Sequence, residues 1–200
     1  MAPPDIRSVD PPGRPDRYVN SGMPGPQKYH KHPRLQDHDY TNGAYFVTIC
    51  TVNRQELFGR IGGSGVNAVM EPNDLGQIVL NDLSALPNHF PTVRLDQVQL
   101  MPDHLHMIIV ITSSGSTRKV DAADAATNDP VRPRGPKSGS LGAIIAAFKS
   151  GTTIKMNRLR GTPGQRYWQQ GFHDWRIRLT HSGEFERIAN YIAANPGKLH

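Results

Sequence analysis

The sequence has little cysteine and no long apolar run, and each shortage excludes a class of protein. Cys50 is the single cysteine, so no disulfide can form within a chain and a disulfide-rich secreted fold is excluded. Its setting, YFVTICTV, is typical of a strand that buries a small hydrophobe. The longest aliphatic run, Met107 to Ile111, is far too short to cross a bilayer, and residues 1–20 contain no signal-like apolar segment. We therefore expect a cytoplasmic protein without a membrane partner.

Acidic residues are also in short supply. The chain has 23 Lys and Arg against 17 Asp and Glu, giving a formal charge of +6 and a pI near 9.7. Such an excess favours a polyanionic partner, nucleic acid first and an anionic membrane surface second. With 36% hydrophobic residues in 200, the chain is apolar enough for one domain with tails.

Two segments have the composition of irregular structure. Eight of the 17 prolines lie in residues 1–33, so the sequence predicts a disordered, basic, Pro-rich tail over 1–36. Residues 37–200 then form the domain. A Gly-, Ser- and Pro-containing stretch, 113–140, interrupts it and predicts a mobile loop or a functional flap.

The first half of the domain predicts a strand, a helix and a hairpin. Residues 44–52 are β-branched and aromatic, which favours a strand. Residues 74–86 have apolar positions at helical spacing, with Asn73 or Asp74 as cap and Pro87 just past the end. Residues 93–101 and 104–112 predict an antiparallel hairpin across a Pro-Asp turn.

The second half predicts a helix, a strand and a last helix. Ser140 is placed to cap a helix whose apolar stripe comprises Leu141, Ile144, Ile145, Phe148, Thr152, Met156 and Leu159. A strand over 172–180 and a helix over 182–194 follow. The order βαββαβ plus a terminal helix predicts an α+β, ferredoxin-like antiparallel sheet with two helices on one face.

The segment LMPDHLHMIIV raises the question of a metal site. On a strand, His104 and His106 point to one face, while Leu105 turns to the core. Both imidazoles can therefore face one cation at the exposed mouth of the strand. The alternative is a pair of hydrogen-bonded boundary histidines, and two histidines do not complete a site.

The last helix offers further candidates. Phe185, Ile188, Ala189 and Ile192 form its apolar stripe, which places Tyr191 on the flank. Asn195 follows one turn later on the same side, and its carbonyl can bind a hard cation. The alternatives are an amphipathic boundary tyrosine and an ordinary C-terminal asparagine before proline.

Five motifs in this order resemble the REP-associated tyrosine transposases, single-strand DNA transposases of the HUH type: YFVTICTVNRQELFG, LMPDHLHMIIVI, GAIIAAFKSGTT, YWQQGFHDWRIR and YIAANP. The resemblance covers about residues 40–197. It implies that His104 and His106 are metal ligands, that Asn195 is the third ligand and that Tyr191 is the nucleophile. Asp103 stands where the family pattern usually has asparagine.

The resemblance also implies the reaction and its partners. Tyr191 would cut single-stranded DNA at hairpin or palindromic sites, such as REP-like palindromes, through a 5′-phosphotyrosine that a later 3′-hydroxyl reverses. Mg²⁺ or Mn²⁺ suits this chemistry, and imidazole ligands favour Mn²⁺ somewhat. We expect a monomer associated with the nucleoid.

Basic residues in the second half are candidate DNA contacts, with a solvated basic face as the alternative. They are Lys149, Lys155, Arg158, Arg160, Arg166, Arg176 and Arg178. Tyr167 and Trp168 could stack on bases, but we predict that Trp168 lies in the core.

Three rival functions share these features. An RNA-recognition domain has the same element order but needs no tyrosine, and its aromatic sheet signature is absent here. A replication or conjugation initiator would use the same chemistry. A degenerate copy would bind palindromes without cutting them.

Overall fold

The computed structural model describes residues 38, 40–112, 136–178 and 183–198. The predicted tail over 1–36, and residues 113–135 of the predicted loop, lie outside the described residues. None of the helices in the described part is both long enough and apolar enough to cross a membrane.

Four strands form the main sheet. They are β1 (Gly43–Cys50), β4 (Val93–Leu100), β5 (His104–Ile111) and β6 (His173–Ile177), and the spatial order is β4-β5-β1-β6. Every neighbouring pair is antiparallel. Counted within this sheet the order is 2-3-1-4, which is the order of the split βαβ fold. The predicted α+β, ferredoxin-like class is confirmed.

A second, two-stranded sheet was not predicted from the sequence. It pairs β2 (Gly59–Gly62) with β3 (Val69–Pro72) in antiparallel register, between β1 and the first helix. Gly59 has φ 141°, and a Cβ there would lie 2.1 Å from the carbonyl oxygen of Glu71. Only glycine allows the two strands to approach so closely at this point.

Helices α1 (Asp74–His89) and α2 (Leu141–Arg160) cover one face of the sheet. Both predicted caps are present: the side chain of Asn73 accepts from Leu75 N and Gly76 N, and that of Ser140 accepts from Ala143 N. These bonds satisfy amide groups that the first turn of a helix otherwise leaves unpaired.

Two details of the predicted helices were wrong. Pro87 lies inside the last turn of α1, and the helix continues to His89, where Phe90 N donates to Leu86 O. One turn from the end, proline removes only the bond to the Leu83 carbonyl. Leu159, in the last turn of α2, is 55% exposed and does not belong to the buried stripe.

The main core lies between the sheet and these two helices. Its strand residues alternate with those of the other face, and its fully buried members include Tyr45, Val47, Ile49, Leu105, Met107, Ile109, Val79, Ile144 and Met156. Leu105 therefore turns to the core as predicted.

Helix α3 (Glu184–Ala193) packs on the opposite face of the sheet, and a 3-10 turn, Asn195–Lys198, follows it. The contact forms a smaller second core of Ala44, Ile108, Ile177, Ile188 and Ile192. Pro196 lies in the 3-10 turn, so the helix ends before proline as predicted. This second face is the one that carries the two histidines.

Candidate metal and nucleophile site

His104 and His106 lie at the start of β5, and their side chains share the α3 face of the sheet. The pairing register explains this, because Cys50 lies opposite His104 and Thr48 lies opposite His106 on the adjacent strand. Both histidines are nearly buried, with 6% and 7% of their surface exposed. The sequence predicted that the two histidines lie at an exposed end of the strand, and this part of the prediction was wrong.

The two imidazoles converge through one nitrogen each. His104 Nε2 lies 3.1 Å from His106 Nε2, and the rings meet edge to face with centroids 4.5 Å apart. The other nitrogens are held by neighbours: His104 Nδ1 lies 2.5 Å from Asp103 Oδ1, and His106 Nδ1 lies 2.8 Å from Thr48 Oγ1. Contacts of this kind fix the orientation of metal-binding histidines.

This arrangement fits a divalent cation. Two nitrogens that bind one cation at about 2.1 Å, side by side, lie about 3 Å apart, and the two Nε2 atoms are 3.1 Å apart. With Nδ1–H of His104 directed at the Asp103 carboxylate, the lone pair of its Nε2 is the one available for a ligand.

The carboxylate that holds His104 is itself held by charge. Burial raises the pKa of Asp103, but the hydrogen bond and electrostatic interaction with His104 and the charge of Arg54 outweigh burial, so the pKa lies below its ordinary value. Arg54 Nε lies 3.1 Å from Asp103 Oδ2. Asp103 therefore remains ionised near neutral pH and can accept from the imidazole.

Tyr191 reaches the histidines from α3. Its ring centroid lies 6.0 Å from that of His106 and 6.2 Å from that of Phe46, which it meets edge to face. The residue is half-buried and packs at the border of the second core. The fold thus brings the predicted nucleophile beside the histidine pair, although 85 positions separate Tyr191 from His106 in the sequence.

Asn195 lies just beyond α3, in the 3-10 turn. It is 8% exposed, and its Nδ2 is the buried side-chain nitrogen without a hydrogen-bond partner within the described ranges. An unsatisfied buried N–H group calls for a hydrogen-bond acceptor, whereas a cation would bind the side-chain oxygen of Asn195. The described residues contain no three-membered metal-binding group of His, Cys, Asp and Glu, so a third protein ligand would have to be of another type, such as this amide.

Two of the predicted DNA contacts are engaged within the protein. Lys149 Nζ donates to Gln169 O at 2.5 Å and to Gly171 O at 2.8 Å. Burial lowers the pKa of Lys149 to about 8. Lys155 Nζ pairs with the carboxylate of Asp82 on α1. Lys149 therefore ties α2 to residues 169–171, and Lys155 ties α2 to α1.

The other predicted contacts have exposed side chains and lie on different elements. Arg158 and Arg160 end α2, on the far side of the sheet, and Arg166 follows in the next loop. Arg176 lies on the edge strand β6 and Arg178 just after it.

The two aromatic residues after α2 are both buried. Trp168 is 6% and Tyr167 2% exposed, and Trp168 Nε1 donates to Thr152 Oγ1 at 2.9 Å. The prediction that Trp168 belongs to the core is confirmed. Tyr167 joins it, with its hydroxyl 3.0 Å from that of Thr162, so neither ring is presented for base stacking.

Sequence reasoning missed the residues that support the pair: Thr48, Arg54 and the role of Asp103. Thr48 is 58 positions from His106, and no local pattern links the two. The alternation of β1 did place Thr48 on the face opposite Val47 and Ile49, but only the strand register shows which residue it faces.

Comparison with known proteins finds a sequence relative and several solved structures of similar fold. A Haemophilus influenzae protein described as "Uncharacterized protein" is 33% identical over 170 residues, covering 82% of this chain and 86% of the relative. The solved structure of a REP-associated tyrosine transposase bound to a REP hairpin has a TM-score of 0.51 and 16% identity, covering 82% of this chain and 73% of the other. No protein-family model matches. At 16% identity, this structural match shows a shared fold.

Proposed function

We propose that this chain, which belongs to one family with the Haemophilus influenzae protein and has the fold of a REP-associated tyrosine transposase, is a metal-dependent endonuclease and strand transferase for single-stranded DNA. One observation carries the proposal. Two imidazole Nε2 atoms converge at 3.1 Å, and a tyrosine from the last helix lies against one of them.

The histidine pair supports the metal part of the proposal. His104 and His106 would hold a divalent cation, Mg²⁺ or Mn²⁺, and the amide of Asn195 is the candidate third ligand. When bound, the cation would polarise a phosphate oxygen and stabilise negative charge there. Two neutral imidazoles and one amide leave coordination positions for phosphate and water.

Tyr191 would carry the covalent step. Its hydroxyl oxygen attacks the phosphorus of a phosphodiester, and the bond from phosphorus to the 3′-oxygen breaks. The phenol gives up one proton and the leaving 3′-oxygen gains one. The products are a 5′-phosphotyrosine and a free 3′-hydroxyl. A later 3′-hydroxyl attacks the phosphotyrosine, restores the phosphodiester and releases the tyrosine, so no nucleotide cofactor is consumed.

Hairpin or palindromic DNA is the substrate class that we propose. The solved structure with the matching fold is described as bound to a REP hairpin, and the formal charge of +6 suits a polyanion. Exposed Arg158, Arg160, Arg166, Arg176 and Arg178 would contact phosphates away from the histidines.

A covalent-adduct assay tests the proposal. The full chain is incubated with Mn²⁺ or Mg²⁺ and a 5′-flanked, 3′-labelled hairpin oligonucleotide, and the products are separated under denaturing conditions. Wild type should give a denaturant-resistant adduct, and Tyr191→Phe should give none while still binding the hairpin. Tyr40→Phe, a hydroxyl deletion against the main core, is the matched control and should form the adduct.

The same assay separates the alternatives. An RNA-recognition-like module, or a degenerate copy that binds palindromes, would bind the hairpin and form no adduct with either cation. An adduct that persists in Tyr191→Phe would place the nucleophile elsewhere and reject the mechanism.

A further inference from the structure

A loop that follows β1 places an arginine beside the histidine pair. Residues 52–54 form a 3-10 turn, in which Asn53 has φ 53° and Arg54 has φ 56°. Two consecutive non-glycine residues in the left-handed region are costly, and such strain persists only where the surroundings enforce it. Glycine at position 54 would relieve the strain without loss of any backbone bond.

The surroundings do enforce this backbone. Thr51 N donates to the Asp103 carbonyl at 2.9 Å, and Leu57 N donates to the Pro102 carbonyl at 2.8 Å. The Thr51 hydroxyl lies between the Gln55 carbonyl, at 2.7 Å, and the Asp103 carbonyl, at 2.9 Å. The loop is therefore bonded to the turn that immediately precedes His104. These contacts hold the backbone of the loop next to the turn that carries Asp103.

The guanidinium is fixed at one edge and open at the other. Arg54 Nε lies 3.1 Å from Asp103 Oδ2, and Nη1 lies 3.0 Å from Cys50 Sγ, a weak acceptor. Asp103 Oδ1 in turn holds His104. The Arg54 side chain is nevertheless 55% exposed. A guanidinium has five N–H donors, so donors remain for a ligand on the solvent side.

We propose that Arg54 binds a phosphate of the DNA strand at the histidine site. This inference rests on the proposed function and extends it to a residue outside the metal pair and the tyrosine. A guanidinium recognises phosphate through parallel N–H···O bonds, and a carboxylate behind it keeps its plane oriented. The strained backbone is the structural cost of presenting that group beside His104.

Binding measured without divalent metal tests the inference independently of cleavage. The probe is a hairpin oligonucleotide with single-stranded flanks, titrated in EDTA at several salt concentrations. Arg54→Ala should weaken binding about tenfold or more, as expected for a charge-assisted bond, and reduce the magnitude of the salt slope by about 0.7. Arg54→Lys should recover the slope but only part of the affinity. Arg94→Ala is the matched control, because Arg94 is also exposed and paired with an aspartate. Arg94 lies on β4 opposite Val110, at the end of β5 far from the histidines.

A methylphosphonate scan locates the contact. Neutralising one phosphate at a time should reveal a position where the methylphosphonate weakens binding by wild type. At that position it should cause no further loss of affinity in Arg54→Ala, because the contact is already absent. Thermal melting separates a purely structural role: Arg54→Gly should melt above Arg54→Ala, because glycine removes the strain, yet bind DNA as weakly. Unchanged affinity and salt slope in Arg54→Ala would overturn the inference and leave the tyrosine mechanism intact. A wild type that binds no oligonucleotide would overturn both.

Discussion

The two faces of the main sheet differ in how much apolar surface they bury, and alternate residues of strand β5 show the difference. Leu105, Met107, Ile109 and Ile111 face the main core, under two helices. His104, His106 and Ile108 face α3, where the buried apolar set comprises five of the described residues. A single strand therefore supplies both a fully buried apolar row and the candidate metal ligands.

This comparison explains why the candidate site lies where it does. On the main-core face a polar side chain would lose its water without a partner, which is unfavourable. On the α3 face, the smaller apolar cluster includes Ile108 but not His104 or His106. The two imidazoles can therefore contact Asp103, Thr48 and a ligand. The α3 face therefore has the smaller apolar core and carries the polar side chains of the candidate site.

The largest expected effect compares two adjacent isoleucines, each fully buried. Ile109→Ala, in the main core, should lower the free energy of unfolding by about 3–4 kcal/mol, and Ile108→Ala by about 2–3 kcal/mol, because α3 can shift to fill the smaller cavity. Urea unfolding measures both. Only Ile108→Ala should also reduce adduct formation by Tyr191. An equal or larger loss for Ile108→Ala would mean that the second face is packed as rigidly as the first.

The next effect concerns the metal. At a Mn²⁺ concentration 100 times the Kd, wild type should gain about 2.7 kcal/mol of stability, and His104→Ala/His106→Ala should gain none. Thermal melting with and without Mn²⁺ measures the gain. His89→Ala, an exposed histidine at the end of α1, is the control and should respond as wild type. Full stabilisation of the double variant would remove the site from these histidines.

A pair of threonines, one on each face, sharpens the comparison. Thr48→Val removes the partner of His106 Nδ1 and should weaken Mn²⁺ binding about 10–100-fold, with a smaller effect on stability. Thr152→Val leaves Trp168 Nε1 unpaired in the main core, and should cost about 1–3 kcal/mol of stability with unchanged Mn²⁺ affinity. Calorimetry and urea unfolding separate the two. Equal changes in Mn²⁺ affinity and in the free energy of unfolding for the two variants would contradict this division between the faces.

The smallest effects are expected at basic residues of α2, away from the histidines. Lys155→Ala removes an ion pair with Asp82 and should cost about 0.2–1 kcal/mol of stability, with little change in hairpin affinity. Arg158→Ala/Arg160→Ala should leave stability unchanged and lower the salt slope by about one unit per lost phosphate contact. Titrations at several salt concentrations measure this. An unchanged slope would show that DNA does not reach the helix layer.

Much of the fold was predictable because its signals are local. Apolar spacing placed α1 and α2, the caps Asn73 and Ser140 fixed their starts, and alternation placed the β4–β5 hairpin. The β2–β3 hairpin was missed, since its strands have four residues each and mostly half-buried or exposed positions. Such short strands carry too weak an alternation to be recognised. The exposure of Leu159 was missed because periodicity gives the face of a helix and not where its cover ends.

The sequence by itself determined that His104 and His106 share a face, because side chains two apart on a strand always do. It likewise placed Tyr191 on the flank of its helix, through the 3.6-residue period. Only the tertiary structure decided that the Nε2 atoms meet at 3.1 Å, that Thr48 and Asp103 hold the other nitrogens, and that Tyr191 packs against His106. Strand register and helix docking join residues dozens of positions apart, and no local period encodes which of them will meet.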